Sequence, residues 1–223
     1  MSYQRFAIYH VPPQGALSAF GAAWLGWDVT AGCPSVPLAV PERDAVTATA
    51  HRYGFHATLK PPFRLGEGCA LEGLSEAVST LARRLSPARC DGLALGRMGR
   101  FLALLPVGDA TGLNHLAAAC VTQLDAFRAS PTAEEFSRRR GSGLRPELEA
   151  NLTNWGYPYV LSAYRFHMTL TDRLPAAALP DWEVVLADLL PPLPAPFEIS
   201  GLALVGERAD GRFEVIDTFP LAG

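Results

Sequence analysis

The segment Tyr53-Gly54-Phe55-His56-Ala57-Thr58-Leu59-Lys60 returns 111 residues later as Tyr164-Arg165-Phe166-His167-Met168-Thr169-Leu170-Thr171, with five of eight positions identical. Farther along, Gly92-Leu93-Ala94-Leu95 returns as Gly201-Leu202-Ala203-Leu204 at an offset of 109. Two matches at nearly one offset mark a duplicated unit, and a duplication constrains the whole fold before any single element does. The expectation is an α+β fold: one two-lobed, pseudo-symmetric domain over 1–223, with repeat halves near 1–108 and 109–223 and His56 and His167 in equivalent strands.

The elements support that reading. Residues 3–11 read as a strand rich in aromatic and β-branched residues, stopped by Pro12-Pro13, and 15–26 as a helix with Leu17, Phe20, Ala23 and Trp24 on one face. The stretch 27–44, with Gly32, Pro34, Pro37 and Pro41, reads as a long loop. After the first histidine segment, Leu71, Leu74, Val78, Leu81 and Leu85 predict a helix over 70–85, and strands follow at 92–97 and 100–106. A second amphipathic helix is predicted at 111–128, then a polar, basic region at 131–150. After the second histidine segment come a helix at 180–190 and strands at 197–206 and 212–219. Helix, strand, strand therefore follows each histidine.

Side chains alternate faces along a strand. His56, Thr58 and Lys60 are thus expected on one face, opposite Phe55, Ala57 and Leu59; Arg165, His167, Thr169 and Thr171 on one face, opposite Phe166, Met168 and Leu170. If two lobes pack about a pseudo-twofold axis, the polar faces line one cleft. Such a set suits phosphoester chemistry. A base must activate the nucleophile, an acid must protonate the leaving oxygen, and donors must stabilise the non-bridging oxygens. Histidine fits both proton roles because its pKa lies near about 6.5. Thr58 and Thr169 can donate hydroxyl hydrogen bonds, and Lys60 and Arg165 can supply charge. Lys60 is the only lysine against 18 arginines, which singles it out. The scheme requires no metal and no cofactor.

A lone histidine on a strand is usually structural; two in matched repeats reverse that prior. His10 reads as a peripheral polar residue or a cleft border, and His51 and His115 as surface or cap residues. Tyr53 and Tyr164 read as structural, and Tyr9 as ambiguous. Arg138-Arg139-Arg140 reads as a solvated face, or as a basic lid hinged at Gly141 and Gly143. The cluster from Trp155 to Tyr159 packs a loop or stacks on a base or sugar. The four cysteines, at 33, 69, 90 and 120, contain no C-x-x-C and read as reduced and structural.

The paired F-H-x-T-L segments resemble the signature of the 2H phosphoesterase superfamily, which includes cyclic phosphodiesterases and RNA-end-processing enzymes. The neighbourhoods Tyr53 to Phe63 and Trp155-Gly156-Tyr157-Pro158-Tyr159 resemble a poorly characterised bacterial branch associated with phosphonate-metabolism operons. The resemblance implies antiparallel sheets around a central cleft, helices outside, and His56 and His167 as the catalytic pair with Thr58 and Thr169 as phosphate ligands. It implies hydrolysis or ligation of a 2′,3′-cyclic phosphate or similar cyclic ester.

The leading expectation is therefore a cyclic phosphodiesterase; the alternatives are an RNA-end ligase and a non-catalytic binding module for phosphorylated metabolites. Net charge is −3 and 18% of residues are charged, so nothing global drives binding to double-stranded DNA or an anionic membrane. The expected partner is a small phosphorylated substrate, with an RNA terminus left open. Neither a signal core nor a membrane span is read from the sequence, and a cytoplasmic location is expected.

Overall fold

A computed structural model describes residues 3–141 and 143–223. The elements are, in order, β1 (Phe6–His10), α1 (Ala16–Leu25), β2 (Trp27–Asp28), β3 (Cys33–Pro34), α2 (Arg43–Thr47), β4 (Ala57–Phe63), α3 (Leu71–Ala82), β5 (Ala88–Cys90), β6 (Gly92–Met98), β7 (Phe101–Val107), α4 (Thr111–Gln123), α5 (Ala133–Arg140), α6 (Pro146–Trp155), β8 (Met168–Thr169), α7 (Leu179–Leu189), β9 (Phe197–Ile199), β10 (Gly201–Glu207) and β11 (Phe213–Pro220). The predicted hairpins and helices after each histidine stand where the periodicity put them, to within a residue or two for most. The stretch 27–44 is not one loop, because Trp27-Asp28 pairs with Cys33-Pro34. The polar stretch 131–150 is largely helical: Thr132 accepts from the Glu135 amide while Glu135 accepts from the Thr132 amide, a capping box that starts α5. The predicted strand at 197–206 is split at Ser200 into β9, which pairs with β5, and β10.

Seven strands form one antiparallel sheet in the order β11-β10-β1-β4-β8-β7-β6. Its two flanks meet at β4 and β8, joined through the single pair Ala57↔Met168. Each flank draws strands from both halves of the sequence. The β10-β11 hairpin lies beside β1, whereas the β6-β7 hairpin lies beside β8. The helices follow the same exchange: α3 packs on β10 and β11, and α7 on β6 and β7. A repeat contiguous in sequence is thus interleaved in space.

One face of the sheet is covered by helices. The α3 face that packs there carries Leu74, Val78, Leu81 and Ala82, and these join Ile8, Leu59, Leu104, Met168 and Leu204 in one core. The opposite face carries a smaller apolar cluster of Ala7, Tyr9, Trp27, Val29, Ala203, Val205 and Phe213. The histidine segments lie at the junction of the flanks, with their apolar side chains turned to the larger core.

Candidate active site

The Ala57↔Met168 register sets the site. Counting outward from that antiparallel pair, His56 stands across from Thr169 and Thr58 across from His167. Phe55, Ala57 and Leu59 are buried while His56 and Thr58 are half-exposed; Phe166, Met168 and Leu170 are buried while His167 and Thr169 are half-exposed. Four polar side chains from two central strands therefore share one face, related by the pseudo-twofold axis through the pair.

Both imidazoles are held the same way. His56 Nδ1 lies 2.9 Å from the Gly54 carbonyl and His167 Nδ1 lies 2.7 Å from the Arg165 carbonyl, each two residues back. An acceptor at Nδ1 keeps the proton there in the neutral ring and leaves Nε2 with the reactive lone pair. His56 Nε2 is 3.0 Å from Thr58 Oγ1. Gly54 is needed where it is: its φ is +71°, and a Cβ would sit 2.5 Å from the Val29 side chain.

The second copy is not identical, and the difference is chemical. Tyr9, opposite Thr58, stacks on His56 with ring centroids 3.6 Å apart. Ala103, opposite Thr169, is the corresponding residue and has no ring to offer; His167 instead has Phe101 tilted 5.6 Å away. Burial pushes His56 down to about 4 and lowers His167 as well. Tyr9, ambiguous in the sequence, is thus the wall beneath His56. Tyr53 also faces the site, with its ring 6.4 Å from His56 and stacked on Phe213.

Lys60 is where the expected alternation fails. Tyr9 pairs with Thr58, but Ile8 pairs with Lys60, so Leu59 is an extra residue and the strand bulges. The bulge turns Lys60 off the histidine face, to 2% exposure, where Nζ donates to the Val121 carbonyl at 2.9 Å and reaches Asp125 at 3.3 Å. The second copy bulges at the same place. The amides of Leu170 and Thr171 both donate to the Leu102 carbonyl, and buried Thr171 accepts from the Leu102 amide rather than sharing a face with His167. Arg165 is exposed and donates to the carbonyls of Ser162 and Tyr164.

His10 is neither peripheral nor in the cleft. It is 4% exposed, lies edge-on to Phe197, and its Nε2 lacks a partner. Tyr164 is structural, its hydroxyl donating to the Thr58 carbonyl at 2.9 Å. Of the basic triplet, Arg138 and Arg140 are exposed and Arg139 turns inward. Of the hinge proposed around it, Ser142 lies outside the described residues. The four cysteines are free thiols. Among the described residues no three His, Cys, Asp or Glu side chains stand together as metal ligands would, and no helix is long and apolar enough to cross a membrane.

A family model described as "Protein of unknown function (DUF1045)" matches residues 58–214, most of the chain. The chain belongs to this family. It is 38% identical over 179 residues to a ribose 1,5-bisphosphate phosphokinase PhnN of Janthinobacterium sp. (strain Marseille), covering 78% of this chain and 40% of that protein. A ribose 1,5-bisphosphate phosphokinase PhnN of Laribacter hongkongensis (strain HLHK9) is 37% identical over 182 residues, covering 80% of this chain and 42% of that one. The chain thus spans about two fifths of these curated relatives. Among solved structures, E. coli LigT complexed with ATP aligns over 100% of both chains at 15% identity and a TM-score of 0.47. A structure described as a phosphoesterase aligns over 100% of both at 17% and 0.45.

Proposed function

We propose that this DUF1045 member is a metal-independent phosphoesterase that opens a cyclic phosphodiester with His56 and His167 as base and acid. The observation that carries the reading is the pair of imidazoles on one sheet face, each with Nδ1 on the carbonyl two residues back and each one strand across from a threonine hydroxyl. Binding alone does not need two proton-transfer groups anchored alike.

The asymmetry around the rings supports His56 as the base and His167 as the acid. His56, stacked on Tyr9 and pushed down to about 4 by burial, is neutral at pH 7 and takes the proton of the attacking water. The water oxygen bonds to phosphorus as the P–O bond to the ring oxygen breaks, and His167, in the fraction of molecules where it holds a proton, donates to the departing alkoxide. The net change is addition of one water to give a phosphomonoester. Thr58 and Thr169 donate to the non-bridging oxygens as charge builds there; Thr58 leaves His56 Nε2 to do so, which frees the base as substrate binds.

The name of the relatives supports a ribosyl substrate. Attack on ribose 5-phosphate 1,2-cyclic phosphate with the 2-oxygen leaving yields ribose 1,5-bisphosphate, the compound in the name of those longer relatives. The test is turnover by EDTA-treated protein on a panel of nucleoside 2′,3′-cyclic phosphates and ribose 1,2-cyclic phosphates, with His56→Ala and His167→Ala alongside. Turnover that survives EDTA and falls by about 10²- to 10⁴-fold in each variant is expected. Turnover lost to EDTA, or retained in both variants, sinks the two-histidine scheme.

A further inference from the structure

Five cations line a pocket that the chemistry above does not use. It is lined by Arg5, just before β1, Lys60 from β4, Arg64 just after it, Arg128, Arg139 from α5, and Tyr157. Three carboxylates answer these five cations: Glu207 pairs with Arg5, Glu135 with Arg64, and Asp125 serves both Lys60 and Arg128. The pocket keeps an excess of two positive charges in a chain of net charge −3. Among the described residues Arg139 has no carboxylate within ion-pair distance. It donates to the Gly156 carbonyl and stands 5.7 Å from the Tyr157 ring, half-buried, with desolvation lowering its pKa. An inward, desolvated guanidinium without a counter-ion is costly unless an anion arrives.

The pocket is linked to the site along β4 and through a run of rings. Lys60 is two residues beyond Thr58 on β4, roughly 7 Å along a strand. A run of rings connects the two places: Arg5 Cζ is 5.8 Å from Phe213, Phe213 is 6.0 Å from Tyr9, and Tyr9 is 3.6 Å from His56. Burial raises the Tyr9 hydroxyl well above its ordinary value, and the Arg5 charge opposes that rise.

We propose that this pocket is a second phosphate subsite, in which Arg139 and Arg5 bind the terminal phosphomonoester of a sugar whose cyclic phosphate lies between His56 and His167. The identity of the second group rests on the phosphodiesterase reading; the subsite itself does not. A dianionic phosphate matches the excess charge, and guanidinium forks suit its oxygens. Its entry displaces Arg139 from the Gly156 carbonyl. That movement is cheap because no residue of α5 is buried. The middle residue of the basic triplet is then a ligand, and its two neighbours are the solvated face.

The experiment is calorimetric titration of ribose 5-phosphate, which has no cyclic ester, into wild type, Arg139→Gln, and a His56→Ala/His167→Ala double variant. Weakening by about tenfold or more in Arg139→Gln, with binding kept in the double variant, is the expected result. Wild-type affinity in Arg139→Gln, or loss of binding in the double variant alone, overturns the subsite. A folded Arg139→Lys that restores part of the affinity separates lost charge from lost packing. Absence of turnover on every cyclic ester, with Arg139-dependent binding intact, removes the phosphodiesterase reading and leaves the subsite standing.

Discussion

The two histidine rings differ in a way that fixes a pH signature. Both are lowered from their ordinary value by burial, His56 to about 4. The base must be neutral and the acid protonated, so kcat/KM rises as pH climbs through the lower value and falls as it climbs through the upper. Because neither value reaches about 6.5, the maximum of kcat/KM belongs on the acid side of 6.5, with the two limbs assigned to the pair as a whole. A flat profile between pH 5 and 9 contradicts the assignment. Tyr9→Ala, which opens His56 to water, moves the acid limb up. His10 makes a separate statement about stability. Its pKa is pushed down to about 4 by burial, while the unfolded chain titrates near about 6.5. The contribution is therefore fully present above 6.5 and lost as pH falls toward 4, up to about 3 kcal/mol. His10→Leu, which also removes the unpartnered Nε2, is expected to flatten the pH dependence of the denaturation midpoint between 6.5 and 4 and to raise the midpoint at neutral pH. An unchanged pH slope would mean that His10 is not held neutral.

At the level of elements, the motif strand is positioned by close packing from behind. A Cβ on Gly21, in the middle of α1, would fall 2.2 Å from the Phe55 ring, so helix and strand approach as nearly as backbone allows. Gly21→Ala should cost about 1–3 kcal/mol in thermal unfolding and lower kcat through a displaced His56, with little change at His167. A stable, fully active Gly21→Ala would show that Phe55 has room to yield. What the sequence disclosed here was the alternation of five residues at each histidine, because period 2 is local. It did not disclose the two bulges that bury Lys60 and Thr171. A bulge is set by the partner strand, and neither β1 nor β7 carries a local mark of which residue will face two. Nor did it disclose that Arg139 alone of three arginines turns inward, which depends on where α5 meets Tyr157.

For the molecule as a whole, the repeat was legible and its interleaving was not, since similarity within a sequence says nothing about which copy supplies a neighbour. We propose that 1–223 folds as one unit rather than as two joined repeats. Four strand pairings cross the boundary near 108: β1 with β10, β4 with β8, β7 with β8, and β5 with β9. Asp172 adds a fifth link, accepting from the amides of Thr49 and Ala50 at 2.7 and 3.0 Å. A fragment of 109–223 would keep the β10-β11 hairpin without β1 and expose the apolar inner faces of β8 and β10 at open edges. A fragment of 1–108 would leave the β6-β7 hairpin with no connection through β8 to β4. Neither fragment is therefore expected to give a cooperative unfolding transition alone, whereas an equimolar mixture should recover one together with the proposed cyclic phosphodiesterase activity. In the proposed two-histidine scheme each fragment holds one of the two rings, so regained activity would report assembly of the junction itself. Cooperative unfolding of either half alone would mean that the exchanged hairpins contribute little, and would turn the chain back into two joined lobes.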